Sequence, residues 1–250
     1  MKAVFKNKNL LVIPAINCLN WSCVFQKLKA IKKIKSEWVQ FDISDGKFAK
    51  PKTWGNKISD LEKFKKYRQK TKIEVHLMVE NPLLIIDNWL KAGVKRIIVH
   101  LEALTDKKSL PRCRGAQGRA GGRMHPNLKI NQKVFSLILK KCKAYNVELG
   151  LAINPKTPVE KLIPYLKDLK FIQILTVEPG RSGQKFQPKV LKKIQFLRKK
   201  FPNIVIEVDG GINLKTAKLA KKAGADILVS ASYLWKSSNL KNTLEKLSQV

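Results

Sequence analysis

The sequence predicts an α/β protein folded as one (β/α)8 barrel. Eight short apolar runs alternate with eight amphipathic ones along the chain. Strict β-α alternation calls for parallel strands with right-handed crossovers, and eight such units close on themselves more readily than they form an open sheet. The length, 250 residues, is typical of an eight-unit barrel and enough to bury a full core.

Strand-like runs fall at Leu10–Ile16, Trp38–Ile43, Ile73–Met78, Arg96–His100, Glu148–Ile153, Phe171–Val177, Val205–Val208 and Ile227–Val229. Helical periodicity follows each, at Phe25–Ile34, Ile58–Tyr67, Leu83–Ala92, Gln132–Tyr145, Val159–Leu166, Pro188–Lys200, Leu214–Ala223 and Asn239–Leu247. Ala92-Gly93 and Ala223-Gly224 put glycine just past a helix, where a left-handed residue is wanted. Asn81-Pro82, Thr157-Pro158 and Gln187-Pro188 put proline at helix starts, where a missing N–H costs nothing.

One stretch breaks the pattern. Arg112–Arg123 holds four arginines and four of the thirteen glycines, and no lysine occurs from Ser109 to Leu128. Lacking periodicity, it cannot bury a face. It reads as a loop insertion at 105–128, after strand four, within a single barrel domain spanning 1–250. A basic lid or RNA-binding arm is one reading of it; a tolerated insert is the simpler one.

The net charge is +33, from 51 basic and 18 acidic residues. Lysines such as Lys65, Lys66, Lys140, Lys141, Lys192 and Lys193 are spread over nearly every helix, not gathered on one element, so they read as solvated helix faces and make a nucleic-acid partner the weaker reading. No apolar run has membrane-spanning length, and Pro14 and Asn17 cut the first one short. Cys18, Cys23, Cys113 and Cys142 show neither metal spacing nor the density of a disulfide scaffold, so reduced thiols in a cytoplasmic protein are expected.

The chemistry concentrates at strand ends. In Trp38–Ser44, Gln40, Asp42 and Ser44 share one face while Phe41 and Ile43 take the other. A carboxylate on a buried strand needs a partner or a metal. Strand seven repeats the design with Asp209 followed by Gly210 and Gly211, and strand three delivers His76. Three strands thus each end in a group able to bind metal or move a proton. The loops after strands six, seven and eight carry Gly180, Arg181, Ser182 and Gly183, then Gly210 and Gly211, then Ala231 and Ser232. Glycines at the last loops of a barrel let backbone N–H groups approach a phosphate.

These segments resemble the ribulose-phosphate 3-epimerase family. The resemblance rests on Phe41-Asp42-Ile43-Ser44-Asp45-Gly46, on Val75-His76-Leu77-Met78-Val79-Glu80-Asn81-Pro82, on Glu178-Pro179-Gly180 through Gly183-Gln184-Lys185-Phe186, and on Glu207-Val208-Asp209-Gly210-Gly211-Ile212. It covers nearly the whole chain apart from the region of Arg112–Arg123. It implies a barrel of the ribulose-phosphate-binding kind and an isomerase of the pentose phosphate pathway that inverts C3 between D-ribulose 5-phosphate and D-xylulose 5-phosphate. Asp42 and Asp209 would be its paired acid and base, and both would hold one divalent cation with His76. Met78, Gly180, Gly183, Gly210, Gly211 and Ser232 match substrate- or phosphate-facing positions.

The chain departs from the family pattern at Gln40, which stands where a second histidine ligand is expected. Departures also occur at Ala15, Ser44 and Ala231, in place of serine, methionine and glycine. An amide oxygen at position 40 would be a neutral, harder ligand than imidazole, shifting preference from zinc toward manganese or iron(II). Beside the epimerase stand two other readings: a related ketose-phosphate epimerase of altered substrate, motivated by Ala15 and Ser44, and a degenerate barrel binding phosphorylated ligands or RNA. The expected partner is a small sugar phosphate, with no membrane, and self-association into a homo-oligomer is left open.

Overall fold

A computed structural model describes residues 9–65, 71–105 and 130–250. Eight strands, β1 (Leu11–Ile16), β2 (Trp38–Ser44), β3 (Lys72–Met78), β4 (Arg96–His100), β5 (Glu148–Ile153), β6 (Phe171–Leu175), β7 (Val205–Asp209) and β8 (Ile227–Ser230), pair in sequence order, all parallel, and β8 closes on β1. The helices are α1 (Trp21–Ile34), α2 (Ile58–Lys65), α3 (Ile86–Lys91), α4 (Gln132–Ala144), α5 (Leu191–Lys200), α6 (Leu214–Ala223), α7 (Ser232–Trp235) and α8 (Leu240–Ser248). This is the expected (β/α)8 barrel. The expected insertion at 105–128 lies outside the described residues apart from Thr105, and so does Cys113.

Where elements differ from expectation, local chemistry explains it. Helix α1 begins four residues early because Asn20 caps it, its side chain accepting from the N–H of Cys23. Between β5 and β6 the chain forms a 3-10 helix, Val159–Tyr165, instead of an α-helix, because Pro164 inside it has no N–H to give. Helix α7, a single turn after β8, carries no periodicity of its own and was not expected. Gly93 (φ 80°) and Gly224 (φ 109°) take the left-handed conformation their positions call for.

The expectation of reduced thiols is overturned at one pair: Cys18 and Cys23 form a disulfide. The turn into α1 brings their Cα atoms to 5.8 Å, within bridging range. Cys142 is free and buried, and burial pushes its thiol up to about 12. Lys193 also departs from its expected solvated face: its amino group reaches the carbonyls of Asn154, Pro155 and Thr157, and burial lowers its pKa to about 8. Among the described residues no helix is long and apolar enough to cross a membrane.

Alternation along each strand sorts side chains into two layers. Outward residues meet the helices: Phe41 of β2 packs among Trp54, Phe64 and Trp89, with ring centroids 5.5–5.9 Å away. Inward residues fill the barrel, where Ile13, Ala15, Ile98, Ala152, Phe171 and Val229 form a smaller apolar cluster. Gly150 is part of that fit, since a Cβ there would lie 2.5 Å from the ring of Phe171. Gly150→Ala should therefore lower the free energy of unfolding by about 1–3 kcal/mol through overpacking, measured by urea denaturation. An unchanged midpoint would mean the barrel interior has slack at this layer.

Candidate active site

The register of β2 against β3 puts Asp42 opposite His76, and Asp209 ends β7 across the barrel mouth. Their ligand atoms all lie within 4.8 Å of one another. Two carboxylate charges that close repel by about 3.5 kcal/mol at an effective dielectric near 20. One layer deeper, Gln40 answers this repulsion: its Nε2 donates to Asp42 Oδ1 at 2.7 Å and to Asp209 Oδ2 at 2.9 Å. Its Oε1 accepts from Gln173 Nε2 at 3.0 Å. The reverse amide orientation would press an oxygen against two anionic oxygens. The sequence reading gives the Gln40 amide oxygen to a cation as a ligand; in the structure it is the amide nitrogen that faces the two carboxylates.

His76 Nδ1 lies 3.5 Å from Asp42 Oδ1 and 3.5 Å from Asp209 Oδ2, too far for a good hydrogen bond, and it is buried without a hydrogen-bond partner. Burial by itself would lower the imidazole pKa. The two carboxylates outweigh burial and raise it to about 9. Asp209 is pushed up by burial and by the charge of Asp42, with His76 and Gln40 working against both. An unpartnered imidazole nitrogen facing two carboxylate oxygens is a donor set that fits a divalent cation.

Beneath the mouth the barrel interior stays polar. Gln173 Nε2 also donates to Glu207 Oε1 at 2.9 Å. Arg96 binds Glu74 and Glu148, each at 2.7 Å, with its guanidinium 3.8 Å from the ring centre of Phe171 and 4.6 Å from that of Trp38. Burial raises Glu74 to about 7 against the pull of Arg96, and burial with the charge of Glu74 raises Glu207 well above its usual range. Sequence reading missed this column. The signal was available, since Glu74 and Glu207 stand two residues before His76 and Asp209 and so share their faces.

Beside His76 lies a second group the sequence reading did not select. His100 ends β4 and is fully buried; its ring stacks on that of His76 at 4.9 Å, and their Nε2 atoms are 2.8 Å apart. His100 Nδ1 lies 3.2 Å from Glu102 Oε2. Glu102 Oε1 accepts from the N–H of Asn154 at 2.9 Å and from the hydroxyl of Thr157. Burial opposes the charge of Glu102, but the bonds to His100, Thr157 and Asn154 hold its pKa below the usual range. His100 is lowered chiefly by burial, with the His76 charge adding to the effect and Glu102 opposing it.

Above the carboxylates a cleft gathers the remaining candidates. Met78, Gly180, Arg181, Ser182, Gly183, Gly210, Gly211, Ala231 and Ser232 line it together with Asp42, His76 and Asp209, whereas Gln40 sits below its floor. Gly180 needs its positive φ of 120° and lacks room for a side chain, because a Cβ would lie 2.4 Å from the Lys50 carbonyl oxygen. Asn17, absent from the sequence-based set, joins the wall: its Nδ2 donates to the Gly180 carbonyl at 2.9 Å and lies 3.5 Å from Asp42 Oδ2. Ala15 and Ser44 are buried away from the cleft, and the Ser44 hydroxyl donates to the Ala49 carbonyl.

A parallel barrel whose mouth pairs two carboxylates with an imidazole, beside a glycine-lined wall, defines an enzyme of the racemase and epimerase class. The profile of the "Ribulose-phosphate 3 epimerase family" matches residues 11–133 and 123–235, so the chain belongs to that family. It is 33% identical to a ribulose-phosphate 3-epimerase of Chlamydia pneumoniae, over 94% of this chain and 92% of the relative. It is 32% identical to one of Methanocaldococcus jannaschii, over 88% and 83%. Among solved structures, 3-hexulose-6-phosphate synthase from Salmonella typhimurium shares the fold at TM-score 0.63 and 10% identity, covering 96% of this chain and 97% of the other.

The bridging amide makes a measurable prediction. Gln40→Leu should lower the unfolding free energy in chelator by about 1.5–3 kcal/mol, the scale of hydrogen bonds to charged groups. Saturating divalent cation should shrink that loss, because a cation held by Asp42, His76 and Asp209 would offset the same repulsion. Equal losses under both conditions, in urea melts, would show that the amide does not stand in for a positive charge.

Proposed function

We propose that this protein interconverts D-ribulose 5-phosphate and D-xylulose 5-phosphate by moving a proton at C3. The observation that carries the reading is the pair Asp42 and Asp209, delivered by two strands that are not neighbours in the barrel, β2 and β7, and held with His76 within 4.8 Å. Inversion needs one proton carrier per face of the substrate, since a single base returns the proton to the face it left. Burial and the charge of Asp42 raise the Asp209 carboxyl above its ordinary value, the direction that favours a proton-holding role. The glycines at 180, 183, 210 and 211 all adopt positive φ on the cleft wall, and with Ser232 they would receive the phosphate.

Asp42, His76 and Asp209 would hold one divalent cation, zinc, manganese or iron(II), with Gln40 a ligand only if its amide turned over. Such a cation, when bound, supplies electrophilic stabilisation of the negative charge that develops on the C2 oxygen as the C3 proton leaves. Ala15 and Ser44, the residues that motivated an altered substrate, stand off the cleft, which favours the family's substrate over a variant. A purely binding barrel would have no use for two facing carboxylates. The domain reading of 1–250 and a cytoplasmic location belong to the same proposal.

Asp42→Asn and Asp209→Asn should each lower kcat by about 10²–10⁴-fold, the usual contribution of a positioned acid or base, with unchanged circular dichroism. In deuterated solvent, each variant should lose C3 exchange from one epimer more than from the other. Loss confined to one of the two variants, with full exchange from both epimers in the other, would remove the two-base assignment.

A further inference from the structure

The His76, His100 and Glu102 chain does something the carboxylates cannot: it decides which nitrogen of His76 carries a proton. Glu102 Oε1 is committed to two donors, the Asn154 N–H and the Thr157 hydroxyl, and its other oxygen faces His100 Nδ1. A carboxylate only accepts, so His100 carries its proton on Nδ1 and leaves a lone pair on Nε2. That lone pair, 2.8 Å from His76 Nε2, takes a hydrogen bond from it. The proton of neutral His76 is therefore held on Nε2, and Nδ1 is left with its lone pair toward Asp42 and Asp209.

We propose that Glu102 is a positioning residue which, through His100, fixes the His76 tautomer so that Nδ1 is presented as a cation ligand. The inference rests on the metal-site reading above, but its primary readout does not. Metal-bound histidines generally need the second nitrogen held by an outer partner; here that partner is a neutral imidazole, which by itself could donate or accept. The direction has to come from the third group. Glu102 supplies it, and the backbone N–H of Asn154, an obligate donor, fixes the orientation of the residue at 102.

Glu102→Gln tests the polarity with almost no change of shape. The Asn154 N–H requires the new carbonyl oxygen at the Oε1 position, which turns the new NH2 toward His100 Nδ1. His100 would then carry its proton on Nε2 and donate to His76 Nε2, leaving His76 protonated on Nδ1, where a ligand is needed. With three histidines in the chain, His76, His100 and His125, a long-range 15N–1H spectrum of histidine-labelled protein can be assigned.

Wild type should show His100 as the Nδ1–H tautomer in chelator and His76 as Nε2–H with zinc bound. Glu102→Gln should show His100 as Nε2–H and bind zinc about 10–100-fold more weakly by calorimetry, the scale of such outer partners. Thr157→Val, which removes one donor to Glu102 but keeps the carboxylate, should leave tautomer and affinity near wild type. An Nε2–H tautomer of His100 in the wild-type protein would overturn the proposal without any variant. So would equal zinc loss in Thr157→Val and Glu102→Gln, which would reduce Glu102 to packing. Failure of epimerase assays with the tautomers as described would overturn the functional reading and leave this one standing.

Discussion

Two carboxylates held within 4.8 Å at the mouth of a barrel are the constraint to which the surrounding residues answer. Their repulsion and their desolvation both oppose the folded state, and each neighbour offsets part of it. Gln40 bridges them with an amide, His76 faces them with an imidazole, and Asn17 approaches from the β1 side. The cost extends downward. Glu207 lies one layer below Asp209, next to Glu74, and Arg96 with Gln173 is needed to keep that layer tolerable.

Precision at the mouth comes from the opposite face of the same strands. Phe41, one residue before Asp42, is clamped among Trp54, Phe64 and Trp89 outside the barrel, so β2 can neither rotate nor slip without breaking an aromatic cluster. A one-residue slip would also carry Asp42 to the helix side. The loop after β2 is tied down in turn, with Asp45 accepting from the N–H groups of Lys47, Phe48 and Glu80. Phe48 then rests on the ring of His100 at 4.7 Å, closing the imidazole pair from solvent.

The fold was legible in the sequence because strand-like and helix-like periods alternate along the chain, and Asp42, His76 and Asp209 were legible because polar groups at apolar strand ends stand out. His100 was not, although β4 alternates Arg96, Ile98, His100 inward just as β2 alternates Gln40 and Asp42. Its role depends on Glu102, which lies beyond the strand in a 3-10 turn, Leu101–Leu104, where period-two reasoning no longer applies. Lys193 escaped for a similar reason: one lysine among many on α5, it is set apart only by the Asn154–Thr157 carbonyls that another βα loop happens to aim at it. Pairings made across the barrel leave no mark on either segment alone. The Cys18–Cys23 bond depends on the Asn20 cap that turns the chain between them, a local signal that cysteine spacing does not register.

Two hydrogen-bond chains of opposite polarity end at the barrel mouth, one on the carboxylates and the other on His76, whose Nδ1 stands 3.5 Å from them. From the barrel interior, Gln173 donates to Gln40, and Gln40 donates to both acids, so this chain delivers N–H groups. From the β4 side, with the tautomers proposed above, Glu102 accepts from His100 and His100 from His76, so this chain delivers a lone pair. Asp42 Oδ1 and Asp209 Oδ2 accept from the first and face the end of the second across 3.5 Å. Each carboxylate oxygen can accept more than one partner, so the amide can hold the pair from below while the imidazole side stays open to a cation. Reversing either chain would present two donors or two lone pairs from both directions, and the acids would lose either their bridge or their cation site. The glutamine at position 40 is therefore compatible with a metal centre for a reason that ligand chemistry at that one position does not reveal.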